Sequence, residues 1–175
     1  MRRFVIIGTV VILGIIGVTA VAVAPLLMVA SVFSIKPMPS DETMIAHFEA
    51  KRAVFEWLVA MAKEDAQLQR LATEFSRPDD PGTVGVSAER VALYRQLFKE
   101  AGTPLGFYNF PGSIHFVFHA SGLSVSGSGR GFVYGNAPQV ADEIDGDLEQ
   151  AAAGENRIYL ARKIAPNWWI TLERS

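Results

Sequence analysis

The chain has 175 residues, enough for one domain of ordinary size and an appendage. It contains no cysteine, which excludes disulfides, thiolate metal sites, a cysteine nucleophile and a lipid-modified cysteine anchor. Removing Arg2 and Arg3, which precede a long apolar run, leaves 14 basic against 18 acidic side chains, a net charge of −4. Because phosphate backbones require clustered basic residues, nucleic acid is not an expected partner.

The apolar run extends from Phe4 to Ile35 without a charged residue. Its length of about 32 residues exceeds the roughly 20 that a helix needs to cross a bilayer. Residues 1–35 are therefore predicted to be a transmembrane signal-anchor whose partner is the lipid bilayer through residues 4–35. Basic residues stay in the cytoplasm, so we expect the remaining chain in the periplasm, at the inner (cytoplasmic) membrane.

A cleaved signal peptide is the alternative interpretation of the same run. Ala20, Ala22 and Ala24 form two overlapping A-x-A patterns of the kind that signal peptidases cut. The apolar run continues beyond Pro25, however, and is longer than the usual core of a signal peptide, about 7 to 15 residues. The length favours an anchor.

Residues 36–40 are predicted to be a linker, and residues 41–175 are predicted to form the exported domain. Ser40 is a plausible N-cap for a long helix whose apolar spacing continues to Arg77, before Pro78, with a break expected near 63–65. A second helix is predicted between Ser87 as N-cap and Gly102 as C-cap.

After Gly102 the apolar residues alternate with polar ones at every second position, the spacing typical of strands. We predict strands at 114–119, 123–125, 132–134, 157–164 and 168–172, with 105–110 as a candidate edge strand, turns at 121–122, 127–131 and 165–167, and a short helix from Pro138. The fold class is therefore α+β, with a long helix and a second helix packed on an antiparallel sheet of four to five strands, and a short inserted helix.

Three residues are candidates for ligand binding: Arg130, His115 and Tyr134. Arg130 lies in a glycine-rich segment that could cradle an anion. His115 and His119 are four residues apart on a predicted strand, about 13 Å between Cα atoms, which is too far for one metal ion. The sequence predicts no metal site, no catalytic residue and no cofactor.

A possible protein interface involves Trp168, Trp169 and Tyr159. Adjacent tryptophans on a strand point to opposite faces, so one should be buried and the other could anchor a partner.

Several short motifs together resemble small uncharacterised bacterial single-span envelope proteins, which have no known activity. The matching residues are His47-Phe48, Arg52, Phe55-Glu56, Leu58, Asp65, Ser87-x-x-Arg90, Tyr94, Arg130-Gly131-Phe132-Val133-Tyr134 and Asn167-Trp168-Trp169-Ile170. The resemblance implies an exported bacterial domain.

The leading functional hypothesis is a membrane-anchored periplasmic binding module that acts on another envelope protein, as an inhibitor or immunity-type protein. One alternative is a small-ligand receptor or enzyme with a site near Arg130, His115 and Tyr134. Another is an accessory subunit of a membrane complex.

Overall fold

The computed structural model describes residues 37–123 and 126–175. The predicted membrane span at residues 4–35 lies outside these residues. Within the described part of the chain, no helix is long and apolar enough to cross a bilayer.

The first helix, α1, is shorter than the sequence pattern suggested. It comprises Asp41–Glu64, begins at Ser40, whose side chain accepts a hydrogen bond from the Thr43 amide, and ends at Asp65. The prediction of a helix reaching Arg77 was wrong, although the break expected at 63–65 is real. Beyond it the chain forms two short strands, β1 (Arg70–Leu71) and β2 (Ser76–Arg77). The apolar residues of this segment, Leu68, Leu71, Ala72 and Phe75, happened to continue the helical spacing.

The second helix, α2 (Ala88–Ala101), follows a 3-10 turn at Pro81–Val84 and confirms both predicted caps. The Ser87 hydroxyl accepts from the Arg90 amide, and Gly102 closes the helix at a φ of +68°, a conformation that favours glycine. Tyr94 of α2 donates a hydrogen bond to Asp65, which joins the two helices.

The sheet has eight strands, so the prediction of four to five antiparallel strands was wrong. Their order is β2-β1-β3-β4-β5-β8-β7-β6, and β6 runs parallel to β7, which makes the sheet mixed. The remaining strands are β3 (Phe107–Phe110), β4 (Ser113–Leu123), β5 (Ser126–Gly135), β6 (Asp142–Glu143), β7 (Ile158–Ala165) and β8 (Trp168–Arg174). Strands β1, β2 and β6 have two residues each, too few to show an alternating pattern.

Strands β4 and β5 form one long hairpin in which both turns predicted at 121–122 and 127–131 are wrong. Ser121 pairs with Ser128, and Gly131 pairs with Val117, inside the ladder. Gly131 lies within β5, and its position requires glycine because a Cβ there would lie 2.6 Å from the Phe116 carbonyl oxygen. The register shifts between Val117 and His119, which marks a β-bulge.

The short helix predicted from Pro138 is also misplaced. The chain forms β6 first, and helix α3 covers only Leu148–Ala151, with Asp147 as its N-cap. The final hairpin is confirmed: β7 and β8 flank a turn in which Asn167 has a φ of 61°.

The three α-helices of the described residues pack against one face of the sheet, which we call the helix-covered face. Its core is largely aromatic, and Phe55 of α1 contacts Phe116, Phe132 and Trp168. The opposite face, called the open face, carries a smaller buried cluster formed by Val133, Ala161 and Trp169. The fold class is α+β, as expected from the order of helices and strands.

Candidate functional site

Arg130 does not face a ligand pocket with its guanidinium group. It lies on the helix-covered face with 1% of its surface exposed, and its guanidinium donates to the Asp41 carboxylate at the start of α1. The other Asp41 oxygen accepts from the Leu148 amide at 3.0 Å and from Arg162 at 3.1 Å. Arg130 therefore belongs to a buried ionic network that fastens α1 and α3 to the sheet.

A second carboxylate completes this network. Glu149 accepts from Arg174 at 2.5 Å and lies 3.5 Å from Arg130. Nothing local to Asp41 in the sequence indicates burial. The pairing spans 89 residues, so only the fold could reveal it.

Tyr134 and His115 also lie apart from Arg130. Tyr134 accepts a hydrogen bond from Lys63 at 3.0 Å on the helix-covered face. His115 is on the open face, where it shares a hydrogen bond of 2.9 Å with Ser113. Burial lowers the pKa of His115 to about 4, so its ring is neutral near pH 7. The three candidate ligand residues do not converge on one pocket.

The two strand histidines do not face each other. His119 pairs with Arg130 and His115 with Val133, and the bulge between them places the two imidazoles on opposite faces. No group of three or more histidine, aspartate or glutamate side chains within the described residues is arranged to hold a metal ion.

The aromatic residues considered as interface anchors are largely covered. Trp168 lies in the main core, and Trp169 is 9% exposed, with its indole N–H donating to the Gly135 carbonyl. Tyr159 is half-buried, and burial together with nearby Glu173 raises its pKa to about 12. The two tryptophans are therefore covered, whereas Tyr159 is only partly so.

The larger of two concavities on the described surface is lined mainly by side chains that the sequence did not single out, and Tyr134 is the one predicted ligand residue among them. It has a volume of about 1270 Å³, and we call it the cation-aromatic cleft. It extends from the end of α1, across the β3–β4 turn, to strands β1 and β2. Its basic and aromatic lining consists of Lys63, Arg70, Arg77, Phe75, Tyr108, Phe110 and Tyr134.

Arg70 is the central cation of this cleft. Its guanidinium carbon lies 4.3 Å from the centre of the Tyr108 ring and 4.8 Å from that of Phe75, so aromatic rings flank the group. Its Nε is buried and has no hydrogen-bond partner among the described residues. Tyr108 in turn stacks on Phe110, with 5.9 Å between ring centres.

The cleft is basic although the domain as a whole is acidic. No aspartate or glutamate of the described residues lines it, and none forms an ion pair with Lys63, Arg70 or Arg77. The nearby Asp80 instead caps the 3-10 turn by accepting from the Gly82 amide at 2.9 Å. The cleft can therefore accept a negatively charged group without competition from a neighbouring carboxylate.

A second concavity of about 720 Å³, the open-face groove, lies beside the cleft and shares Tyr108, Phe110, Pro111 and Ser113 with it. Gly129 and Gly131 contribute to its floor, His115 to one side and Tyr159 to the other, and residues 136–140 border it. Glu173 is its acidic lining residue. The groove is less charged than the cleft.

Comparison of the chain with protein-family models, with curated proteins and with solved structures gives no match. The resemblance to bacterial envelope proteins therefore stays a prediction.

Proposed function

We propose that this chain is a periplasmic binding module, held at the inner membrane by residues 4–35, that recognises another envelope protein through the cation-aromatic cleft. An inhibitor or immunity-type role is consistent with such a module, since it requires binding and no chemistry on the bound protein.

The composition of the exposed cleft is the observation that supports this proposal most. Phe75 and Phe110 are 46% and 50% exposed, although large aromatic side chains are usually buried in soluble domains. Aromatic residues and arginine are enriched at protein interfaces and supply most hot spots. Here both residue types line one concave surface, which suits insertion of a protruding segment from a partner.

The apolar leader supports the location. A tether of this kind confines the domain to the membrane surface and raises its effective concentration near membrane partners. Carbonate-washed membranes should retain the chain, with an intact N-terminus by mass spectrometry. A mature chain starting near Val23 or Pro25 would show that the leader is cleaved and would remove the tether.

Site-directed photocrosslinking in the full-length chain tests the cleft. A benzoylphenylalanine at Phe75 places the probe on the cleft and keeps an aromatic ring beside Arg70. The same probe at Trp57 is the matched control, because Trp57 is a similarly exposed aromatic (52%) on α1 that does not line the cleft.

The proposal predicts one discrete crosslinked protein in membranes of the producing cell from position 75 and none from position 57. An Arg70→Gln change should reduce the yield from position 75 at least several-fold. Equal yields from both positions, or none from position 75, would refute the cleft as the contact surface.

A small-ligand receptor is a second candidate, and the open-face groove is the observation that favours it. The neutral Ser113–His115 pair lies at its wall and could orient an uncharged polar group. Gly129→Leu should fill the floor without a backbone clash, since a Cβ there comes no closer than 3.7 Å to the His119 carbonyl oxygen. Gly146→Leu is the control, because nothing lies within 4 Å of a Cβ at that position.

A thermal-shift screen of neutral metabolites against the full chain would test this second candidate. The receptor function predicts a compound that stabilises the natural chain and the Gly146→Leu variant but not the Gly129→Leu variant. A screen with no such compound would remove the candidate.

A further inference from the structure

We propose that the group recognised in the cation-aromatic cleft is a carboxylate next to an aromatic side chain, so that the partner presents an acidic, aromatic-containing segment. This inference rests on the proposed function, because it specifies the chemistry of the segment that the cleft binds.

The geometry of Arg70 supplies the first argument. The Tyr108 and Phe75 rings lie 4.3 Å and 4.8 Å from the guanidinium carbon, and the N–H donors lie in the guanidinium plane. The flanking rings restrict the side chain before binding, so less conformational entropy is lost when a ligand arrives. A carboxylate can accept two parallel hydrogen bonds from the edge of such a group.

The unpaired Nε of Arg70 supplies the second argument. A buried donor without a partner has lost its hydration and has gained nothing in exchange. Native structures rarely leave such donors unpaired, and those that do occur require an explanation. The terminal nitrogens of Arg70 are not among these buried atoms, so an incoming carboxylate can bond them, and a shift of the adjacent, half-exposed Phe75 ring would let it bond Nε as well.

Strand register supplies the third argument. Arg70 and Arg77 are direct cross-strand partners between β1 and β2, and like charges in this position repel each other. No described acidic side chain forms an ion pair with either arginine. A bound anion would relieve the repulsion, and Lys63 adds positive charge to the same cleft.

The exposed rings define what accompanies the carboxylate. Phe75 and Phe110 offer apolar surface on the cleft, which a free inorganic anion would leave in contact with water. An aromatic side chain next to the acidic residue would cover this surface and pack against the rings at offset or edge geometry. The cleft is therefore suited to a peptide segment that carries both groups.

A positional-scanning peptide library tests the inference with the full-length chain in lipid nanodiscs. Acidic residues should be enriched beside aromatic ones, and for the best peptide a Glu-to-Gln replacement should weaken binding about tenfold or more. Arg70→Gln should cause a similar loss, whereas Arg157→Gln should not. Arg157 is the matched control, since it is exposed and lies outside the cleft.

The outcomes separate this inference from the function on which it rests. Enrichment of aromatic residues without acidic ones, or equal binding of the Glu and Gln peptides, would overturn the carboxylate while leaving the cleft as a contact surface. No enrichment of either kind, combined with a specific crosslink from Phe75, would overturn the inference and keep the proposed function. If neither the enrichment nor the specific crosslink is observed, the inference and the proposed function are both overturned.

Discussion

Neutralising Asp41 should destabilise the domain far more than neutralising its neighbour Glu42. Both residues lie in the first turn of α1, where a negative charge interacts favourably with the helix dipole. They differ in environment, because Asp41 is fully buried and Glu42 is exposed. The comparison therefore separates the buried network from the dipole effect.

The size of the effect follows from the contacts of Asp41. One carboxylate oxygen accepts from Arg130 and the other from Leu148 and Arg162, so both oxygens face donors. In Asp41→Asn the amide nitrogen must face one of these donor sets, and Arg130 stays buried without a full counter-charge. Breaking a buried ion pair in this way costs about 3 to 5 kcal/mol. Glu42→Gln should cost about 1 kcal/mol or less.

Urea unfolding of the full chain in detergent micelles measures the difference. Trp168 and Trp169 are both buried, so their fluorescence should report loss of the tertiary fold. Adding Arg130→Met to Asp41→Asn should restore part of the lost stability, because the double variant removes the stranded charge. Similar unfolding free energies for Asp41→Asn and Glu42→Gln would refute the assignment of a buried ionic network.

Two further predictions concern the hairpin of β4 and β5. Gly131→Ala should lower the free energy of unfolding by about 1 to 3 kcal/mol, because its Cβ would lie 2.6 Å from the Phe116 carbonyl oxygen. Gly129→Ala is the control and should be close to neutral, since its Cβ meets no atom closer than 3.7 Å. Equal effects of the two substitutions in urea unfolding would contradict this prediction. The low pKa of His115, about 4 against an ordinary 6.5, means that the unfolded chain takes up a proton first as the pH falls. Stability that depends on the neutral ring is thus present above pH 6.5 and is lost between pH 6.5 and 4, a loss that His115→Gln should reduce.

The elements that were predicted correctly are those whose signals are local. Ser87 and Gly102 bound α2 because a hydroxyl cap and a left-handed glycine are decided within a few residues. The final hairpin, β7 and β8, was also predicted correctly, because its turn residues immediately precede Trp168. Local signals also mislead: a glycine-rich segment indicated a turn around Arg130, whereas the segment is a strand in which Gly131 allows close approach of the neighbouring strand.

The candidate site could not have been predicted in the same way, because none of its determinants is local. Arg70 and Arg77 become neighbours through two-residue strands, which have no detectable periodicity, and Tyr108 joins them through pairing of β1 with β3. The sequence instead favoured Arg130, where glycines suggested an anion loop. Ion pairing separates the two arginines: Arg130 is paired with the Asp41 carboxylate, whereas Arg70 forms no ion pair with any described carboxylate.

This contrast also explains why a binding role is more consistent with the fold than catalysis near Arg130. A catalytic arginine must reach substrate, yet the guanidinium of Arg130 lies under α1 and α3, and removing its partner would destabilise the domain. His115 pairs with Val133, three residues from Arg130 along β5, so its side chain lies on the opposite face of the sheet from the Arg130 guanidinium. The cleft, by contrast, exposes cations and aromatic rings at the edge of the sheet, where a partner can reach them without any rearrangement of the core.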